Sequence, residues 1–508
     1  MPRSRHVLLA LVFAAYCAAT IAGAVTHEPW WDEAQAWLVA RDAPLPDLLL
    51  HEVRYEGHPP LWYLLLAIPA KLGLPYASLK VVAVLAGMSS ALLLLWGFPR
   101  VPLWIRVLAP FTLYVAYQYT IVARSYCLIL PLLLLIARMY DRRHARPALF
   151  ALFLILLSNV SVHGFASACG LAALFLFDVA TERIPRPARR AFLTAAAAFI
   201  LNGIMLVVLL WPPPDILSAV HLHSPFDLKR HSDVAGALIT PMFWPPTRDE
   251  TPLQAVGMVL SAMVALAILV FWFIRSRAGA PFALATLGAY AVALRYYSMW
   301  HEGIFFFLLL FGTVLAFERR PEQRSRWLDV AAQVVLVLLL MQHAYWGYRS
   351  LAYDIRWDAT GSKRAAEFIK QQRLDRRQLY GTGAALVEIQ PYFDANILDN
   401  YRNDGRAYWE WSSRNTWPYT EFTLTSRGQM ERWFDRLVRD EPEYIVYGGG
   451  LLEDEIYAAR LFRDPRYRRM ASFGGYTFWK TKENWLITFH VLRRADRPPA
   501  SAPRSAAR

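Results

Sequence analysis

Apolar runs long enough to cross a bilayer recur from about residue 7 to residue 348, and several of the loops between them are short and rich in arginine. A crossing needs about 20 apolar residues, and a water-soluble core has no use for so many of them in series. The chain therefore reads as a polytopic α-helical membrane protein with some soluble mass, as its 56% hydrophobic and 19% charged residues also indicate. A formal charge of +14 raises the question of a nucleic-acid partner. The arginines bunch in interhelical loops as topology signals do, so no nucleic acid is expected.

The basic loops are Arg138 to Arg146, Arg183 to Arg190, Arg275 to Arg277 and Arg319 to Arg326. The positive-inside rule places all four in the cytoplasm. Counting from a cytoplasmic N-terminus puts the loop 27–59, the loop 212–250 and everything after about Tyr348 on the opposite face. The count uses about eleven helices, at 7–26, 60–73, 78–97, 104–137, 147–159, 161–180, 190–211, 252–274, 279–297, 301–317 and 327–348. The first is read as a retained helix rather than a cleaved signal, because its apolar stretch is long. The fourth is too long for one straight crossing: it is either broken near Tyr117 to Arg124 or two helices, which would reverse the parity unless 60–73 is also miscounted.

Cys17, Cys127 and Cys169 all fall inside expected helices without a CxxC pair, so neither a disulfide nor a thiolate metal site is expected. From about Ala359 the pattern becomes that of a soluble α/β domain, 349–493, followed by a Pro/Ala/Ser/Arg tail at 494–508 expected to be disordered. It shows helices near 362–371 and 429–439, strands at 378–380, 444–447, 476–480 and 485–491, and a glycine run at 448–450. That run lacks GxGxxG spacing and carries no nucleotide expectation.

Three segments hold chemistry-bearing groups near expected membrane edges. Trp30-Trp31-Asp32-Glu33 follows the first helix, Tyr55-Glu56-Gly57-His58-Pro59-Pro60-Leu61 opens the second, and Ala123-Arg124-Ser125-Tyr126 sits within the fourth. The acids of the first have a plain reading as helix-start residues, favoured by the helix dipole. Adjacent helix positions face different sides, so at most one of Asp32 and Glu33 can join Glu56 and His58 at a common centre. A carboxylate, an imidazole and a second acid are the equipment of general base catalysis; a polar interfacial turn is the plainer alternative. Arg124, His163, Arg295 and His301 lie in or beside apolar runs, where such groups are costly and usually line a cavity or pair. Snorkelling or an internal ion pair accounts for any one alone; together they suit a diphosphate or a phosphate diester held at the outer leaflet. His221, His223 and His231 form too loose a pattern for zinc, and the 212–250 loop reads as a cover over substrate.

On Asp32-Glu33 after the first helix, His58-Pro59-Pro60-Leu61 opening the second, and Ala123-Arg124-Ser125-Tyr126 before an apolar helix, the chain resembles the GT-C superfamily of polyprenyl-phosphate-sugar glycosyltransferases. It looks most like the bacterial branch that includes protein O-mannosyltransferases, aminoarabinose transferases of lipid A and lipopolysaccharide galacturonosyltransferases. About the first 180 residues carry the resemblance; the rest shares only the architecture. The resemblance implies a bacterial inner-membrane enzyme that transfers a sugar from a polyprenyl-phosphate donor to an acceptor hydroxyl on the periplasmic side, with inversion. It implies Asp32 as base, Glu33, Glu56 and His58 beside it, and Arg124, His163, Arg295 and His301 on the donor phosphate. The chain departs from the mannosyltransferases in lacking a large β-domain insertion, its soluble mass lying at the C-terminus. A glycan or lipid acceptor is therefore favoured over a protein one, with the aromatic segment Tyr408-Trp409-Glu410-Trp411 as a carbohydrate contact or a packing surface. No metal ligand set is expected, although a divalent cation stays open. The competing class is a lipid or glycolipid transporter, which would use the intramembrane Arg and His residues as a path but usually shows repeated halves, absent here.

Overall fold

The computed structural model describes residues 3–181, 189–216, 227–244, 251–319, 325–401, 405–412, 435–450, 461–480 and 482–496. The first helix, α1 (Arg3–Thr26), leads into a group of short ones: α2 (Trp31–Asp42), α3 (Leu45–Asp47), α4 (Val53–Glu56) and α5 (Leu61–Lys71). Next come α6 (Ser78–Leu92), α7 (Leu103–Leu108), α8 (Ile129–Met139), α9 (Pro147–Ser158), α10 (Val162–Ala180), α11 (Arg189–Leu209) and α12 (Leu228–Phe243). The bundle is completed by α13 (Pro252–Arg275), α14 (Gly279–Arg295), α15 (Glu302–Glu318) and α16 (Arg326–Arg356), after which α17 (Ser362–Gln371) opens the C-terminal domain.

Among the described residues, six helical stretches are long and apolar enough to cross a membrane: Arg3–Thr26, Ser78–Gly97, Arg189–Leu209, Pro252–Arg275, Met299–Glu318 and Arg326–Arg356. The apolar core of Met299–Glu318 is 94% buried against 22% for Pro252–Arg275, so α15 runs through the centre of the bundle while α13 lies on its outside. Close helix contact relies on small residues. A Cβ at Gly170 would come within 2.1 Å of the Leu284 carbonyl oxygen, and one at Gly288 within 2.1 Å of that of Ala166, so α10 and α14 touch backbone to backbone.

Arginine contacts mark one end of the bundle. Arg138 donates to the Gly97 carbonyl at 2.8 Å, Arg100 to that of Glu318 at 2.7 Å, and Arg143 pairs with Asp178 at 2.7 Å. Arg319 pairs with Asp141 at 2.9 Å and bonds the Arg277 carbonyl. Three of the four basic loops thus meet at this end; most of the fourth, 182–188, lies outside the described residues. The opposite end gathers α2 to α5, the 298–301 turn and the C-terminal domain.

Two spans depart from the simple count along the alternative that the sequence left open: 104–137 breaks within the stretch Tyr117 to Arg124, and 60–73 is a short helix packed against other parts of the protein. The segment 60–73 forms the 11-residue helix α5, set apart from the bundle by its packing rather than by its length. Trp62, Leu66 and Ala70 share a hydrophobic cluster with Trp37 of α2 and with Ala365, Ile369 and Trp409 of the C-terminal domain. The segment 104–137 is two limbs. α7, a 3₁₀ turn at Ala109–Phe111 and a π-helical turn at Leu113–Gln118 run away from the arginine end; α8 then returns, so that Arg138 reaches Gly97. Pro110 withholds a backbone donor, and the polar Gln118, Thr120 and Arg124 sit at the apex rather than in the middle of a span. Within the expected outer loop 212–250, the described part holds α12, whose start is capped by Asp227 accepting from the Lys229 and Arg230 amides at 3.0 and 3.3 Å. The last helix of the bundle runs to Arg356, which moves the expected domain boundary from 348 to about Trp357.

The C-terminal sheet contains β1 (Leu379–Thr382), β2 (Tyr444–Gly450), β3 (Tyr467–Trp479) and β4 (Lys482–Arg494) in the order β1-β2-β4-β3. β1 and β2 are parallel, with Leu379 opposite Tyr444, while β4 runs antiparallel to both of its neighbours. The glycine run belongs to β2 rather than following it: Gly448 lies under Phe489, where a Cβ would come within 2.9 Å of the ring. The two strands expected at 476–480 and 485–491 are found, lengthened to β3 and β4 and paired as one long hairpin. Of the helix expected at 429–439 only 435–439 is described, and it is helical. The segment 451–460 and the tail beyond residue 496 lie outside the described residues.

Candidate active site

The Trp-Trp-Asp-Glu segment turns into α2 where Trp30 is still extended and its amide donates to the Glu33 carboxylate at 3.1 Å. Adjacent helical side chains diverge by about 100°, and the two acids accordingly separate. Glu33 is fully buried, accepting from the Ala123 amide at 2.7 Å and contacting His27 Nε2 at 3.1 Å. Asp32, partly exposed, pairs with the guanidinium of Arg124. Two neighbouring carboxylates thus grip two neighbouring residues, one by its backbone and one by its side chain. Burial raises the Asp32 carboxyl above the usual range, with Arg124 opposing.

Glu56 ends α4, and Gly57 in the left-handed region (φ +64°) turns the chain so that His58 and the two prolines start α5. The Glu56 carboxylate accepts from Gln35 Nε2 at 2.7 Å, Tyr63 OH at 3.1 Å and Trp411 Nε1 at 3.1 Å. Burial nonetheless outweighs these donors and pushes its pKa up to about 7. His58 keeps a buried Nδ1 without a partner among the described residues, and burial, with the charge of Arg124, lowers it to about 3. It is a neutral imidazole rather than a cation.

Arg124 also lies over the ring of Tyr126, 5.3 Å from its centroid, and the Tyr126 hydroxyl meets His301 Nε2 at 3.2 Å. His301 Nδ1 accepts from the Ser298 amide at 3.2 Å, which leaves the proton of the neutral ring on Nε2, facing Tyr126. His163 packs on His301 with ring centroids 4.3 Å apart, and its Nε2 has no partner among the described residues. Two imidazolium charges that close would repel, so this pair supplies ring donors rather than the two cations expected from sequence. The 298–301 turn is brought over α2 by Trp300, which packs on Trp30 at 5.0 Å.

The structure therefore brings together Asp32, Arg124, Glu56, His58, His163 and His301. It turns Glu33 away into a supporting role. Arg295 ends α14 with an exposed side chain, outside the buried group, although its neighbour Tyr296 packs on His301 at 5.3 Å. Sequence reasoning missed Gln35, Tyr63, Tyr126 and, as a neighbour of Glu56, Trp411. In the aromatic segment, Tyr408 and Trp409 are buried, and Gln35 clasps the Trp409 backbone in both directions at 2.7 and 2.9 Å; only Trp411 and Glu410 remain partly open.

Among the described residues no group of three or more His, Cys, Asp or Glu is arranged to hold a metal ion. His231 contacts the Tyr290 hydroxyl at 3.3 Å, while His221 and His223 lie outside the described residues. No family model, curated protein or solved structure matches the chain.

Proposed function

We propose that this protein is an inverting membrane glycosyltransferase that moves a sugar from a polyprenyl-phosphate donor to a glycan or lipid acceptor of the cell envelope. The observation that carries the reading is the Asp32–Arg124 pair: a partly open carboxylate and a phosphate-matching guanidinium, side by side at the end of the bundle away from the arginine loops. In this reading about eleven crossings are made by α1, α6, the Leu103–Gln118 limb, α8 to α11 and α13 to α16. The arginine end faces the cytoplasm of a bacterial inner membrane and the C-terminal domain faces the periplasm.

Asp32 takes the proton of the acceptor hydroxyl as its oxygen attacks the anomeric carbon. The bond from that carbon to the phosphate oxygen breaks on the opposite face, and polyprenyl phosphate leaves with the bonding pair. Arg124 presents two edges. A donor phosphate on it competes with Asp32 for the guanidinium, which loosens the ion pair and leaves a more basic carboxylate. Tyr126, His301, His163 and His58 add neutral donors around the developing phosphate charge, and Glu56 orients the acceptor beside Trp411.

Reconstitution into vesicles with a labelled polyprenyl-phosphate sugar and an envelope extract tests this. Label should appear on the acceptor, with free polyprenyl phosphate released in equal amount. Label that crosses the bilayer still attached to its carrier would establish the transporter reading instead.

Glu56 gives this site a pH signature. Its carboxyl holds a proton below about pH 7 and is ionised above it, and the ionised form is the stronger acceptor for a sugar hydroxyl. Transfer should rise with pH through about 7, and Glu56→Gln should remove that limb from the pH profile; an unchanged limb in the variant would take Glu56 out of the site.

A further inference from the structure

Among the described residues, the most deeply buried lysine or arginine of the C-terminal domain is not in that domain's own core. Lys480 follows β3 on the hairpin, is fully buried, and enters the helical bundle. Its ammonium contacts three helices: the Pro241 carbonyl of α12 at 2.6 Å, Glu302 Oε2 of α15 at 2.9 Å, and the face of Trp346 of α16 at 4.9 Å. The hairpin is also anchored by Phe478, which stacks on Tyr353 of α16 at 4.7 Å. Lys480 adopts φ +59°, a left-handed conformation that hairpin turns usually give to Gly, Asn or Asp. A lysine there is explained by what its side chain reaches rather than by the turn.

What it reaches is the residue after His301. Glu302 is 2% exposed and also accepts from Tyr114 OH at 2.8 Å, with Tyr297 OH at 3.4 Å from its other oxygen. The turn just before it presents His301 to Tyr126 and His163, and its Trp300 carbonyl accepts from Tyr119 and from Gln118. A buried carboxylate that loses its cation is strongly destabilised where it stands. The turn would then shift to let Glu302 find water or another donor, and His301 would move with it.

We infer that Lys480 is a positioning residue: the C-terminal domain, through the Lys480–Glu302 pair, holds the 298–301 turn so that His301 faces the donor phosphate. The assignment rests on the proposed transferase reading. It makes the extramembrane domain part of the donor site without any of its atoms touching the donor.

The test uses the full-length protein in nanodiscs, with two readouts. Lys480→Met keeps the length of the side chain and removes the charge; backbone hydrogen exchange at 298–302 should quicken, and the KM for the lipid-linked donor should rise about tenfold with the acceptor KM unchanged. Lys480→Arg should stay close to wild type in both. The double variant Lys480→Met with Glu302→Gln, which leaves no uncompensated charge, should recover most of the loss and serves as the working variant if Lys480→Met does not fold. Unchanged exchange in Lys480→Met overturns the inference whatever the protein catalyses, and so does an equal rise in both KM values. If the wild type transfers no sugar, the transferase reading fails by itself, and the exchange measurement still decides whether Lys480 holds the turn.

Discussion

Replacing Arg124 with Ala should lower transfer by about 10²- to 10³-fold, the loss expected when a fixed donor is taken from a site where charge develops. Arg124 is the one guanidinium in the buried group. It pairs with Asp32 and packs on Tyr126, whose ring in turn meets His58 and His301. Arg124→Lys should recover little, because a point charge on a flexible stem cannot hold a carboxylate on one edge and a phosphate on the other. The measurement is kcat/KM of purified protein with a labelled donor. Activity of the Ala variant within tenfold of wild type would remove Arg124 from the donor site.

The second large effect is on stability. His27 lies just beyond α1, 6% exposed, with Nδ1 2.7 Å from Asp354 of α16 and Nε2 3.1 Å from Glu33 of α2. Burial opposes its charge, but the two carboxylates override this and raise it to about 10, so it is a cation at neutral pH. Lys80 of α6 bonds its carbonyl, which ties a fourth helix to the same point. His27→Ala leaves two buried carboxylates without their shared cation and should cost about 3–5 kcal/mol, read as a lower unfolding midpoint in detergent. Because its folded pKa lies above the unfolded one near 6.5, this stabilisation is complete below about pH 6.5 and is lost as pH rises through about 10. The midpoints of wild type and His27→Ala should therefore converge toward pH 10. A midpoint shift of under about 1 kcal/mol at neutral pH would mean that the triad does not hold the helices together.

The local parts of the site were legible in sequence because each depends on near neighbours. Pro29 and two acids mark the start of α2, and His58-Pro59-Pro60 marks the start of α5, as found. The divergence of Asp32 from Glu33 follows from helix geometry alone. The span count was open at 60–73 and 104–137 for one reason: hydropathy reports that a segment is apolar, not what it is buried against. The run Leu61-Trp62-Tyr63-Leu64-Leu65-Leu66 reads as lipid-facing, yet Trp62, Tyr63 and Leu66 are buried among Trp37, Trp409 and the C-terminal domain. The 104–137 run is too long for one straight crossing, and its reversal falls at Tyr119 to Arg124, inside the stretch where length and the polar Gln118, Thr120 and Arg124 allow a break.

Non-local relations were beyond reach. Nothing near Trp411 in sequence announces Glu56, and nothing near Lys480 announces Glu302, since a soluble-looking strand end gives no sign of entering a helical bundle. α12 was obscured by the basic residues at its start and by Pro241 inside it. The three segments on which the family resemblance rests, around Asp32, His58 and Arg124, lie apart in sequence and meet in the structure: Asp32 pairs with Arg124, and His58 packs against Tyr126 at 6.3 Å. That meeting supports the transferase proposal.

The central claim is that Asp32 removes the acceptor proton, and single-turnover transfer by Asp32→Asn measures it directly. The variant keeps the size of the side chain and should bind labelled donor within a few-fold of wild type, while the rate of product formation falls by about 10²- to 10⁴-fold, the span of a lost general base. Product formation at the wild-type rate with donor bound would contradict the account.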